Sequence, residues 1–142
     1  MKPEAFYRTV MDTIGDEDRA GAVRATAAVL AALRDRLTVT EAAQVCAQLP
    51  KGLKELWRAG DVEGRRPRRM HEPEFCRRVA LDAKLPVREG RRATLAVFGA
   101  LKMQLSAGEA DDVLAQLPRD LKLMWSVALA TSEKRVGNAT PD

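Results

Sequence analysis

The chain has 142 residues, 46% of them hydrophobic and 31% charged, a balance that suits one globular domain or two small ones and excludes a disordered chain. Two cysteines and one histidine are too few for a disulfide framework or a metal site, so neither a metal nor any cofactor is expected. The formal net charge is +4, no apolar run nears the roughly 18 residues of a membrane span, and the N-terminal stretch around Glu4 is not a secretory signal, which makes the cytoplasm the default location.

Abundant Ala and Leu with only 4% aromatic residues favour helix over sheet. Phe6, Val10 and Ile14 recur every four residues and predict a first helix with one apolar face. Val23, Ala27, Leu30, Leu33 or Arg34, and Leu37 form the stripe of a second helix. That stripe is narrow and flanked by alanine, so neighbouring helices can approach closely. Thr38-Val39-Thr40-Glu41 is a capping box: the Thr38 hydroxyl accepts from the amide three residues on, and Glu41 reaches back to the cap residue's own amide. The third helix then buries Ala42, Val45, Cys46 and Leu49. Pro50 ends it, because proline pushes its predecessor out of the α region, and it also suits the first position of a new helix. A fourth helix therefore runs from Pro50 and carries Leu53, Leu56 and Trp57, with Trp57 as a core anchor.

The next stretch, GRRPRRMHEP, is irregular in pattern and holds the basic excess. Residues 58–92 carry eleven basic and six acidic side chains, against eight and eight in residues 1–57 and five and six in residues 93–142. The linker arginines have no acidic partner close in sequence. Arg65, Arg66, Arg68 and Arg69, with Arg77 and Arg78 just beyond, are the candidates for anion or nucleic-acid contact, since guanidinium groups recognise phosphate by charge and bidentate geometry. Few aromatic residues accompany them, so base stacking is not expected and any binding would be independent of sequence. A solvated linker is the plainer reading.

After the linker the first pattern returns. Phe75, Arg77 and Val79 repeat Phe6, Arg8 and Val10 at an offset of 69. Residues 24–57 align with 92–125 without a gap at an offset of 68, and 18 of the 34 pairs are identical. Leu95, Phe98, Leu101 and Leu105 repeat the second stripe, and Ser106 with Glu109 repeats the capping box. Ala110, Val113, Leu114 and Leu117 repeat the third helix, Pro118 the corner, and Leu121, Met124 and Trp125 the fourth. The chain is read as a tandem duplication of a unit of about 55 residues. The expected fold is all-α: two tandem four-helix repeat units packed into one bundle-like body. The first repeat is assigned to 1–58, the basic linker to 59–73, the second repeat to 74–128, and a poorly ordered tail to 129–142.

F-x-x-x-V, R-A-x-x-x-L-x-x-L and E-A-x-x-V-x-A-Q-L-P with its trailing L-K-x-x-W, present in both halves, resemble the bacterial domain-of-unknown-function family 2267. The resemblance covers nearly everything from residue 5 to 125 and implies an all-helical repeat fold, with no activity and no functional residues to carry over. Family members often place Gly-Trp after the last helix of the first half. Gly60-Asp61 stands here instead, which implies a looser junction.

Catalytic chemistry finds no constellation, and no enzyme activity is expected. Glu41 and Glu109 could suggest acid–base or di-metal chemistry, but the caps also account for Thr38 and Ser106, and no E-x-x-H motif is present. Cys46 aligns with Leu114 and reads as an apolar core position. Arg77 and Arg78 beside Cys76 would lower its pKa, yet no histidine base lies in the same stretch and a reactive thiol is not favoured. Arg24, Arg92, Lys54 and Lys122 are the basic residues kept in both copies, more readily as internal salt bridges or solvated side chains than as a shared anion site. The function expected is a non-catalytic helical module that binds an unidentified protein partner or forms a homo-oligomer. The alternative is sequence-independent nucleic-acid binding through the central arginines, and a weaker one is a ligand or active site between the repeats, which requires a buried polar pocket.

Overall fold

The computed structural model describes residues 3–130, which form eight α-helices, one short 3-10 helix and, among those residues, no strand. In chain order these are α1 (Pro3–Ile14), α2 (Arg19–Arg36), α3 (Val39–Gln48), α4 (Lys51–Arg58), α5 (Glu72–Ala83), the 3-10 turn Val87–Glu89, α6 (Gly90–Gln104), α7 (Ala107–Gln116) and α8 (Arg119–Val127). The bounds recur at the sequence offsets: α5 repeats α1 after 69 residues, and α7 starts 68 residues after α3, as α8 does after α4. None of these helices is long and apolar enough to cross a membrane.

Local chemistry sets the helix ends. In the first box Glu41 N–H donates to Thr38 Oγ1 at 3.0 Å and Thr38 N–H to Glu41 Oε1 at 2.9 Å. In the second, Ser106 and Glu109 exchange the same bonds at 3.1 and 2.8 Å. The Asp18 side chain caps α2 through Gly21 N–H at 2.9 Å. Pro50 and Pro118 sit one residue earlier than expected, as the caps of α4 and α8. Their ψ angles of 145° and 159° keep them extended, and the helices begin at Lys51 and Arg119. The shorter connection of the second copy shows at the start of α6: the turn matching the first turn of α2 is the 3-10 turn after Pro86. The ends of α1 and α5 both pass through a left-handed residue, Gly15 at φ 87° and Lys84 at φ 60°.

The two copies interlock. α1 packs on α6 as well as on α2, α5 packs on α2 as well as on α6, and α3 meets α7. Exchanging the copies maps each cross-contact onto the other, so the four long helices share one core. Phe6, Val10, Leu30, Leu33, Phe75, Val79 and Phe98 are fully enclosed within it. Gly90 permits the closest approach: a Cβ there would lie 2.0 Å from the Cys76 carbonyl oxygen, so α6 could not meet α5 with any other residue. Past α8, Ala130 is fully buried and its backbone N would be 2.9 Å from a Cβ at Gly99, so the first residues assigned to the tail pack on α6. Residues 131–142 of that tail lie outside the described residues.

Candidate functional site

The central basic segment is tied down along its length. Arg65 donates to the Leu37 carbonyl at 2.8 Å, Arg68 N–H to the Asp35 carbonyl at 2.7 Å, and the Arg36 guanidinium to the Met70 carbonyl at 3.3 Å. Two of these acceptors, Asp35 and Leu37, are among the carbonyls that the C-terminal turn of α2 leaves without helical partners. The linker therefore caps α2, and Met70 is buried beneath it. The expectation that its arginines lack a nearby acidic partner is corrected here: Arg65 pairs with Asp61 at 2.7 Å, one helical turn earlier in sequence. Asp61 also lies 3.7 Å from Arg34.

The six candidate arginines divide into two groups. Arg65 and Arg78 are largely buried and engaged internally, Arg78 with Asp35 at 2.8 Å and Asp82 at 3.4 Å. Arg66, Arg68, Arg69 and Arg77 are exposed, and their guanidinium groups pair with no other described residue. Arg68 and Arg69 from the linker and Arg77 and Arg78 from α5 line one open groove of about 640 Å³, with Met70, Leu81, Glu74 and Asp82. Arg66 lines the adjoining hollow, which shares Arg68. Buried nitrogens Arg65 Nη2 and Arg78 Nη1 have no hydrogen-bond partner among the described residues. The folded chain thus gathers charges that are twelve positions apart in sequence onto one face.

Asp35 organises this face from below. Its carboxylate accepts from Arg34 at 2.9 Å and from Arg78 at 2.8 Å. Burial pushes its carboxyl pKa up, but hydrogen bonds from Arg78 and Arg34 and their charges outweigh burial and hold it below the ordinary value. Arg34 was legible only as an ambiguous member of an apolar stripe. It is in fact a buried cation, donating at 3.1 Å to the Trp57 carbonyl and also to the Ala59 carbonyl at the end of α4. Lys102, its counterpart 68 positions on, does the same for α8 through the carbonyls of Trp125 at 2.8 Å and Ala128 at 2.9 Å. A cation at a helix C-terminus satisfies orphan carbonyls and complements the helix dipole. The signal available in the sequence was a basic residue held at the same position of both apolar stripes.

Arg24 and Arg92 have a matching role across the copies. Arg24 of α2 donates to the Ala83 carbonyl at the end of α5 at 3.1 Å, and Arg92 of α6 donates to the Ile14 carbonyl at the end of α1. Their retention in both copies is accounted for by this reciprocal capping. Lys54 is half-buried and Lys122 exposed.

The remaining candidates serve the fold. Trp57 and Trp125 are each 2% exposed, and Trp125 packs on Phe98 with ring centroids 5.3 Å apart. Cys46 and Cys76 are free and buried. The expected lowering of the Cys76 pKa is corrected: burial raises it, with the Glu72 charge adding to the rise, and together they outweigh a hydrogen bond with Thr94 and the charge of Arg91. His71 caps α5, its N–H donating to Glu74 at 3.2 Å, and its Nδ1 stands 3.7 Å from Asp120 of α8. Among the described residues no group of three or more His, Cys, Asp or Glu side chains could hold a metal ion. Between the copies lies a cavity of about 50 Å³, lined by Met11, Asp16, Asp18, Leu85, Glu89 and Arg92 among others. It has room for a few waters, far below the roughly 300 Å³ at which small-molecule sites begin.

No curated protein matches the chain. The family model described as "Uncharacterized conserved protein (DUF2267)" matches residues 4–124, from the first turn of α1 into α8, and the chain belongs to that family.

Proposed function

We propose that the chain is a non-catalytic interaction module whose binding face is the arginine surface of the linker and α5, and that its partner is nucleic acid held through phosphates. One observation carries this reading. Residues 65–70 are pinned to the end of α2 at three points, yet Arg66, Arg68 and Arg69 project outward beside Arg77 with no internal partner among the described residues. Cations needed only for solubility have no reason to be held on an ordered backbone. A pre-ordered set of guanidinium groups binds a polyanion at a lower entropic cost. Phosphate contacts carry no sequence information, so the binding is non-specific.

The test is titration of labelled DNA and RNA at several salt concentrations. The variant that reads the face is Arg66→Gln, Arg68→Gln, Arg69→Gln and Arg77→Gln together, which leaves Arg65 and Arg78 in their structural pairs. Wild type binds with micromolar or weaker Kd, and each lost contact reduces the salt slope by roughly 0.9 on duplex DNA. Absence of binding at about 50 mM salt, where charge contacts are strong, overturns the reading.

A second reading, a protein partner or homo-oligomer, is favoured by a specific asymmetry. Leu123, Val127 and Leu129 are 65%, 63% and 45% exposed on and just after α8. Their counterparts 68 positions earlier are Glu55, Ala59 and Asp61. Light scattering of wild type and of Leu123→Glu with Val127→Glu separates the cases: a mass above the monomer that falls in the variant supports it, and a monomer in both removes the homo-oligomer.

A further inference from the structure

We infer that the groove between the linker and α5 takes single-stranded rather than duplex nucleic acid, an inference that rests on the binding reading above. The groove is not lined by cations alone. Leu81 is 76% exposed at its rim, and Met70 forms a buried apolar floor. Leu81 lies one helical turn beyond Arg77 and Arg78, so the three share a face of α5. Arg68 and Arg69 stand on the opposite, linker side.

A duplex presents its phosphates and sugars outward and keeps its bases paired and stacked. Against such a surface the exposed Leu81 side chain gains nothing. A single strand offers both chemistries at once. Its phosphates can follow Arg68, Arg69 and Arg77, while an unstacked base turns its face to Leu81, Met70 and the flat guanidinium groups. Aliphatic and guanidinium surfaces accept any base, which keeps the binding independent of sequence without aromatic residues. The groove also holds two carboxylates, Asp82 beside Arg78 at 3.4 Å and Glu74 accepting from the His71 backbone N–H at 3.2 Å, and its four arginines outnumber them.

The experiment is fluorescence anisotropy with a labelled oligothymidine of about 20 nucleotides and a labelled duplex of the same length, at matched salt. Each is titrated with wild type, Leu81→Ser and Arg77→Gln, with helical content checked by circular dichroism. Wild type binds the single strand several-fold more tightly than the duplex. Leu81→Ser weakens single-strand binding by about threefold, less than the roughly fivefold at which the loss of a base–aromatic stack begins, with an unchanged salt slope and unchanged duplex binding. Arg77→Gln weakens both and shallows both slopes, by roughly 0.7 on the single strand and 0.9 on the duplex. Duplex binding equal to or tighter than single-strand binding, or a single-strand affinity indifferent to Leu81→Ser, overturns this inference and leaves the binding reading standing. Failure of both probes to bind overturns both.

Discussion

Replacing Arg34 with methionine keeps the length and much of the apolar contact of the side chain but deletes a buried cation. Arg34 is 3% exposed, so water does not replace what it supplies. Its guanidinium holds the carbonyls of Trp57 and Ala59, and it shares the Asp35 carboxylate with Arg78. A hydrogen bond from a charged donor contributes about 1.5–3 kcal/mol, and truncating one partner of a buried pair costs about 3–5 kcal/mol. Asp35 keeps Arg78, which limits the second effect, and the half-exposed contact with Asp61 adds little. Arg34→Met should therefore destabilise by about 3–4 kcal/mol, a large share of the 5–15 kcal/mol typical of a domain. Arg34→Lys should cost only about 1 kcal/mol, because Lys102 meets the same need in the second copy with a single ammonium. Urea unfolding followed by circular dichroism measures both, and Lys102→Met should resemble Arg34→Met. A loss below about 1 kcal/mol for Arg34→Met would refute the capping role. Equal losses for Arg34→Lys and Arg34→Met would instead assign the effect to the planar contact with Asp35.

Three further outcomes follow from the geometry. The Asp35 pKa lies below its unfolded value, so its contribution is complete above about pH 4 and is lost as pH falls through the lower folded value. The melting temperature of Asp35→Asn should thus lie below wild type near neutrality and converge with it only in acid, and a pH-independent gap would contradict the lowered pKa. Thr38→Ala and Ser106→Ala should each destabilise by about 1 kcal/mol in denaturant titrations, with Glu41→Gln costing less because glutamine still reaches the cap amide. Lys84→Gly should stabilise by about 0.5–1 kcal/mol, since Lys84 holds at φ 60° the position that Gly15 fills in the first copy; a lower unfolding midpoint would show that the lysine side chain outweighs the backbone strain.

The helices and their ends were determined by the sequence, because each depends on residues within a turn or two of one another. The period of Phe6, Val10 and Ile14 specifies a helical face, and the hydroxyl–glutamate spacing of both boxes specifies an N-terminus. The exposed arginines were legible as a basic cluster on the same local terms. Tertiary structure alone decided which helices exchange partners, since two similar units bury the same faces whether each packs on itself or on its twin. Arg24 reaching Ala83, and Arg92 reaching Ile14, are bonds over 59 and 78 positions that no local rule anticipates. It also separated Arg65 and Arg78 from their neighbours. Identical in type and adjacent in sequence to the exposed arginines, they are turned inward because Asp61, Asp35 and the end of α2 lie beneath them, and a buried guanidinium persists only where such acceptors meet it.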